Sequence, residues 1–262
     1  MKKIAVLSAG NGGQALAADL ALRGHDVALY DLPRFAPVIE AIRRRGNTIE
    51  LQNKITGTAT IRLVTTDIAE ALDGAEVVYF TAPSYGQKAF FDLAVPALSD
   101  GQVIVLMPGN YGTLALKAAL REAGKDVLVA ETDNLPYACA ATEPGVVNVR
   151  GVKKAVTLAA FPAGDYAAVE AAVAGLTDQM VALDCTRDAD GYHCQTKLIP
   201  LTQAANTERK VPRTWINEAG NGVCQSFIDY ALPLIQGEPA RPLENGLPKF
   251  ARLKKVLTTS ID

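Results

Sequence analysis

Residues 1–31 read MKKIAVLSAGNGGQALAADLALRGHDVALYD. A short apolar run, Ile4 to Leu7, feeds a glycine cluster at Gly10, Gly12 and Gly13. An alanine- and leucine-rich helical stretch follows, and a second apolar run, Val27 to Tyr30, ends in Asp31. Strand, glycine turn, helix, strand and acid is the order that a dinucleotide requires. Glycines let the backbone approach a pyrophosphate, whose charge meets the N–H groups of the helix N-terminus. An acid ending the second strand can accept hydrogen bonds from the adenosine ribose hydroxyls.

Two registers fit the turn. Ser8, Gly10 and Gly13 give S-x-G-x-x-G; Gly10, Gly12 and Ala15 give G-x-G-x-x-A. The first is preferred because Leu7 closes the strand and the turn starts directly after it. Ser8 then predicts an ordinary backbone conformation where the fingerprint has glycine. The competing reading is a βαβ unit whose turn binds another phosphate or nothing. A secretory leader fits less well, since glycines interrupt the apolar run and Asp19 follows soon after.

The rest of the chain bounds the answer. Its 262 residues allow one large or two smaller domains. A formal net charge of −2 argues against nucleic acid as the main partner, and the run Arg43 to Arg45 reads as a solvated helix face. No apolar segment is long enough to span a membrane. The four cysteines, Cys139, Cys185, Cys194 and Cys224, form no CxxC pair, so neither zinc nor thioredoxin-type chemistry is expected. Reduced thiols and a cytoplasmic location are the expectation.

Strands are predicted at 3–7, 26–30, 76–81, 103–106, 127–131 and 155–160. Helices are predicted at 13–23, 35–45, 67–72, 87–98, 112–123 and 165–179. The Thr- and Ile-rich alternation at 47–65 predicts a hairpin appended to the sheet. After about residue 185 the pattern changes: 196–211 reads as helical apart from Pro200, 215–237 reads as helical again, and the Pro-rich stretch 238–250 reads as irregular before a short basic helix at 251–257. The fold class expected is α/β: a Rossmann doubly wound parallel sheet over 1–185, followed by a small all-helical domain over 186–262 for substrate binding or dimerisation. Trp215, Ile216, Phe227, Ile228, Leu232, Leu234 and Ile235 offer more apolar surface than so short a domain covers, which predicts a homodimer.

Ligand-lining positions follow from the carboxyl ends of parallel strands. Ser8, Gly10, Asn11, Gly12 and Gly13 are candidates for the pyrophosphate, and Asp31 for the ribose. Thr81, Ala82 and Pro83 end the strand after EVVYF and belong by the pyrophosphate or the second ribose. Asp31 favours NAD(H), because a carboxylate repels the 2′-phosphate of NADP; Arg34 partly offsets this, so NADP stays open. Ordinary turn roles are the competing account of Pro83 and Gly109.

Three segments carry a family resemblance: AGNGGQALAADLALRGHDV near the start, MPGNYGTLAL at Met107 to Leu116, and ETDNLPYACAATEPGVVNVRGVKKAVTLAAFP at Glu131 to Pro162. They resemble the octopine/nopaline (opine) dehydrogenase family over about residues 1–185. The resemblance implies a Rossmann domain plus a helical domain, an NAD(P)H cofactor, and reductive condensation of an amino acid with a 2-oxo acid as small-molecule substrates. It places Asn110 near the nicotinamide. In NTERKVPRTWINEAG, Asn206 matches the family's asparagine and Asn217 its later one, while Lys210 stands where the family has its histidine. The helical domain is also shorter than the family's.

Four residues are candidates for the chemistry. Lys210 could polarise a carbonyl or hold a carboxylate, against a surface role in the Arg209–Lys210–Arg213 cluster. Lys197, in GYHCQTKL, is similar in spacing to the lysine of 3-hydroxyacid dehydrogenases, though Leu201 replaces the expected asparagine. Asn206 could orient a carboxylate. His193 is the better placed of the two histidines for a proton relay; His25, in the turn before the second strand, reads as structural. Tyr137 and Cys139 either face the substrate or are buried packing groups. Two further functions stay open: a ketopantoate or 3-hydroxyacid dehydrogenase-like reductase that needs no amine, and an NAD-binding protein without catalysis.

Overall fold

The computed structural model describes residues 1–153 and 156–176, and the backbone of 180–188 and 191–198. The chain opens with β1 (Lys3–Leu7), α1 (Asn11–Leu22), β2 (Asp26–Tyr30) and α2 (Ala36–Arg44). It continues through β3 (Thr48–Asn53), β4 (Gly57–Thr60), β5 (Leu63–Thr65), α3 (Ile68–Leu72), β6 (Val77–Phe80), α4 (Gln87–Ala97), β7 (Val103–Leu106), α5 (Gly112–Glu122) and β8 (Leu128–Thr132). Then come β9 (Tyr137–Glu143), β10 (Val146–Val152), β11 (Val156–Phe161), α6 (Tyr166–Val173), β12 (Met180–Asp188) and β13 (Gly191–Leu198).

The main sheet has the order β13-β12-β11-β8-β7-β6-β1-β2-β5. From β5 to β8 every pairing is parallel, with β1 between β2 and β6. This is the doubly wound order, and the chain reverses direction across the sheet at β1 and β6, the switch point where such sheets bind ligands. One expectation needs correction. The sheet is not wholly parallel, because β11 runs antiparallel to β8. The connection from β8 to β11 is the hairpin β9–β10 rather than the helical crossover that usually returns the chain in the same direction.

Strands buried on both faces explain the unbroken apolar runs. Along β1, Ile4 and Val6 face one core with Leu16 and Leu20 of α1; Ala5 and Leu7 face the other with Phe80, Phe90 and Phe91. Phe80 meets Phe90 edge-to-face at 5.1 Å. Full burial of such a side chain contributes about 1.5–3 kcal/mol.

The hairpin expected over 47–65 divides in two. β3 and β4 pair antiparallel, but in a second sheet of order β4-β3-β10-β9, whereas β5 joins the main sheet beside β2. Sequence reading missed β9 and β10, although Pro144-Gly145 between two alternating runs was a turn signal, and Gly145 has φ +85°. This second sheet packs on α1, so α1 is buried from Gly12 through Leu20. That is why the helix lacks a polar face. Helix α6 ends at Val173, short of the expected 179, with Gly175 at φ +76° just beyond.

Contacts group the chain into a unit of Met1–Leu183 with Thr196–Asn206, and another of Asp184–Gln195 with Thr207–Asp262. Where helix was read from Thr196 onward, the backbone to Leu198 is strand. The remainder of the expected helical domain, with Asn206, Lys210 and the apolar residues 215–235, lies outside the described residues.

Candidate functional site

The carboxyl ends of β1, β2 and β6 meet at a cleft of about 230 Å³ lined by Ser8, Gly10, Asp31, Arg34, Ala82 and Pro83, among others. A larger hollow of about 460 Å³ lies at the opposite edge of the sheet, around Lys2, Glu76 and Gln102. It sits at the amino ends of β6 and β7, away from the switch point.

The glycine turn settles its own register. A Cβ on Gly13 would overlap the Ser8 carbonyl oxygen and come within 2.8 Å of Thr81 Oγ1. Gly13 therefore fills the position where helix and strand pack closest. A Cβ on Gly12 would meet Leu135 Cδ1 at 2.7 Å, whereas one on Gly10 would find only Ser8 Oγ at 3.6 Å. Gly10 thus faces open space, as a backbone that must admit a ligand should. It is the N-cap of α1 and no side chain caps that end, so the helix directs its first N–H groups at the turn. One expectation fails here. Ser8 is not in an ordinary conformation but at φ +89°, the glycine-like geometry of the fingerprint's first position. Its N–H donates to the Tyr30 carbonyl at 2.8 Å, and the tertiary pairing holds the serine there.

Asp31, 4% exposed, directly follows β2. Its Oδ2 accepts the Ala9 N–H and its Oδ1 the Leu32 N–H, both at 2.8 Å. Burial pushes its carboxyl above the usual carboxylate range, against those two bonds and Arg34. Each oxygen keeps a second lone pair for a hydroxyl. Arg34 stacks on Phe35 at 4.9 Å and shares the cleft, so both the acid and the cation expected near a ribose are present. Thr81 Oγ1 donates to the Leu7 and Ser8 carbonyls at 3.2 and 3.3 Å, fixing the ends of β1 and β6 together.

Asn11 divides its functions. Its side-chain Oδ1 accepts the Ala141 N–H at 2.9 Å, so the side chain grips β9 and only the backbone belongs to the turn. Gln14, which sequence reading passed over, donates to the Ala9 carbonyl at 2.7 Å and accepts the Gly145 N–H at 2.8 Å.

At the carboxyl ends of β7 and β8 a second constellation forms. Asn110 donates from Nδ2 to Ser84 Oγ at 2.9 Å. Gln87 donates to the Gly109 carbonyl at 2.7 Å. Glu131 accepts the Tyr111 N–H at 3.2 Å, and the Thr113 N–H and hydroxyl at 3.3 and 2.9 Å. Glu131 was also missed; its signal was an acid following the apolar run LVA in β8.

Other candidates are placed elsewhere. Tyr137, 5% exposed, donates its hydroxyl to Asp19 Oδ2 at 2.6 Å beneath α1 and is a packing group. Half-buried Cys139 reaches the Asn11 carbonyl at 3.4 Å, and burial raises its thiol. His25 accepts the Lys2 N–H, and burial lowers its imidazole. His193 and Lys197 fall on β13. Among the described residues no group of three or more His, Cys, Asp or Glu could hold a metal, and no helix is long and apolar enough to cross a membrane.

Comparison with known proteins is consistent with this geometry. Residues 3–109 match the N-terminal domain of NAD-dependent glycerol-3-phosphate dehydrogenases. An opine dehydrogenase of an Arthrobacter species is 32% identical over 210 residues, covering 79% of this chain and 58% of that protein. The chain thus spans little more than half of that relative's length. A solved octopine dehydrogenase, described with NADH and L-arginine, superposes with a TM-score of 0.54 at 25% identity, over 61% of this chain and 42% of that one. A ketopantoate reductase of Ralstonia eutropha shares the fold, with a TM-score of 0.50 at 20% identity over 72% of this chain and 58% of that one.

Proposed function

We propose that the chain, which is similar to opine dehydrogenases, is an NAD(P)-dependent oxidoreductase joining an amino acid to a 2-oxo acid by reductive condensation. The observation that supports it most is the joint of β1, α1 and β2. There Gly13 allows the helix to close on Ser8, Gly10 leaves the approach open, and Asp31 directly follows the neighbouring strand.

Those features fit a dinucleotide. The turn from Ser8 to Gly13, with the N-terminus of α1, would hold the pyrophosphate. Asp31 would accept a ribose hydroxyl, which favours NAD(H); Arg34 beside it leaves NADP(H) admissible. Ala82 and Pro83 would flank the pyrophosphate, and Asn110 would stand by the nicotinamide. When bound, the cofactor supplies the hydride that reduces the carbon–nitrogen double bond formed, with loss of water, from the amine and the oxo acid. The protein's part is to orient both substrates, exclude water and deliver a proton to nitrogen. His193, Lys197, Asn206 and Lys210 are the candidates for that work. The homodimer expected from residues 215–235 is part of the same reading, and light scattering across a concentration series tests it.

NADH oxidation, followed by absorbance with pooled 2-oxo acids, with and without pooled amino acids, tests the activity. Turnover only with both pools is the expected result. Turnover with oxo acids alone would instead identify a hydroxyacid-forming reductase. NADH binding without turnover in either would identify a binding protein.

A further inference from the structure

The turn after β7 is held in an unfavourable conformation from three sides. Asn110 and Tyr111 are consecutive non-glycine residues at φ +49° and +68°, in the left-handed region. L side chains disfavour that region, and a pair in succession persists only where the surroundings impose it. Glu131 binds the Tyr111 N–H and both donors of Thr113, Gln87 binds the Gly109 carbonyl, and Ser84 accepts from Asn110. Gly109 has no alternative, since a Cβ there would overlap Glu131 Cβ. Tyr111 is the N-cap of α5 and no side chain of its own caps the helix; the Glu131 carboxyl, from β8, takes that place.

So costly a turn has a location to match. In a doubly wound sheet the two halves of a dinucleotide lie on either side of the switch point. Asp31 and the glycine turn occupy the β1–β2 side, so the other half lies over the carboxyl ends of β6 and β7, where this turn stands. We propose that Glu131 is a positioning residue for the nicotinamide half of the cofactor: by accepting the Tyr111 and Thr113 donors it holds the left-handed Asn110–Tyr111 pair against the place where the reactive ring lies. Glu131 itself touches neither cofactor nor substrate. This rests on the dinucleotide reading above.

Binding of two ligands to the full chain separates the roles. ADP-ribose contains every part of NADH except the nicotinamide. Dissociation constants for NADH and ADP-ribose are measured for the wild type and Glu131→Ala, together with the emission of bound NADH. Glu131→Ala is expected to keep ADP-ribose affinity and to weaken NADH roughly tenfold, the scale of one hydrogen bond. The emission of its bound NADH should shift toward that of the free cofactor. Equal loss for both ligands, or none for either, overturns the proposal. If Glu131→Ala has no cooperative thermal transition, Thr113→Val, which removes one donor, is judged by the same criteria, with roughly a threefold selective loss of NADH expected. A wild type that binds neither ligand overturns the dinucleotide reading and this proposal with it; a wild type that binds both, with an unchanged ratio in the variant, overturns this proposal alone.

Discussion

Asp31 Oδ2 accepts the backbone N–H of Ala9 at 2.8 Å, joining the end of β2 to the turn after β1. The residue read from the sequence as a ribose acceptor is therefore also a structural tie. Asp31→Ala leaves the Ala9 and Leu32 N–H groups without that acceptor and should cost about 1–3 kcal/mol. Cofactor affinity should fall with it. Asp31→Asn keeps one carbonyl acceptor and should lose less stability. Chemical denaturation and cofactor titration on both variants measure the two effects.

Two glycines three residues apart should respond differently to the same methyl group. Gly13→Ala drives a Cβ into the Ser8 carbonyl and should destabilise by about 1–3 kcal/mol, as overpacking does. Gly10→Ala finds ordinary contact with Ser8 Oγ at 3.6 Å and should fold normally. Its methyl projects where a pyrophosphate approaches, so only ligand affinity should drop. A Gly10→Ala protein with full affinity would contradict the placement of the pyrophosphate.

The positive φ of Ser8 makes a further contrast. Ser8→Gly suits the conformation but gains freedom when unfolded, so its stability should change by less than about 1 kcal/mol. Ser8→Val puts a β-branched residue at φ +89° and should lose more than about 1 kcal/mol. Thermal melts of the pair settle the order.

Tyr137→Phe should lose about 1–3 kcal/mol, because the 2.6 Å bond to buried Asp19 disappears and, among the described residues, Arg23 is the side-chain partner the carboxylate keeps. Cofactor and substrate affinities should not change. A raised KM for an amine or oxo acid would return Tyr137 to the substrate site.

Glu131 gives the fold a pH dependence. Burial raises its carboxyl, with Thr113 and Tyr111 opposing. A carboxyl raised in the folded state binds its proton more tightly there than in the unfolded chain. The stability that comes from this proton linkage is therefore full below the ordinary glutamate value of about 4.3 and is lost as pH rises through the raised value, whereas the carboxyl's hydrogen bonds to Tyr111 and Thr113 are a separate contribution. Glu131→Gln does not titrate. The stability of wild type minus that of the variant should thus decline with rising pH, and melting both proteins from about pH 4 to 8 gives the slope.

The sequence by itself determined the doubly wound core and the ligand end of the sheet. Those rest on local signals: apolar runs such as Ile4 to Leu7 and Val103 to Leu106, the glycine spacing, and an acid directly after β2. The register with Ser8 first was legible because Leu7 ends the strand. Long-range contacts decided the rest. The serine's left-handed backbone is imposed by Tyr30 and Thr81, which lie 22 and 73 residues away. The second sheet forms because β3 and β10, whose paired residues lie 96 positions apart in the chain, join the hairpins β3–β4 and β9–β10 over α1, and no period within either hairpin announces the other. Only the tertiary structure set Glu131 against Tyr111 and Thr113, and turned Tyr137 from a candidate substrate contact into the partner of Asp19. A side chain's chemistry is written locally, but what it faces depends on which strands and helices are brought together.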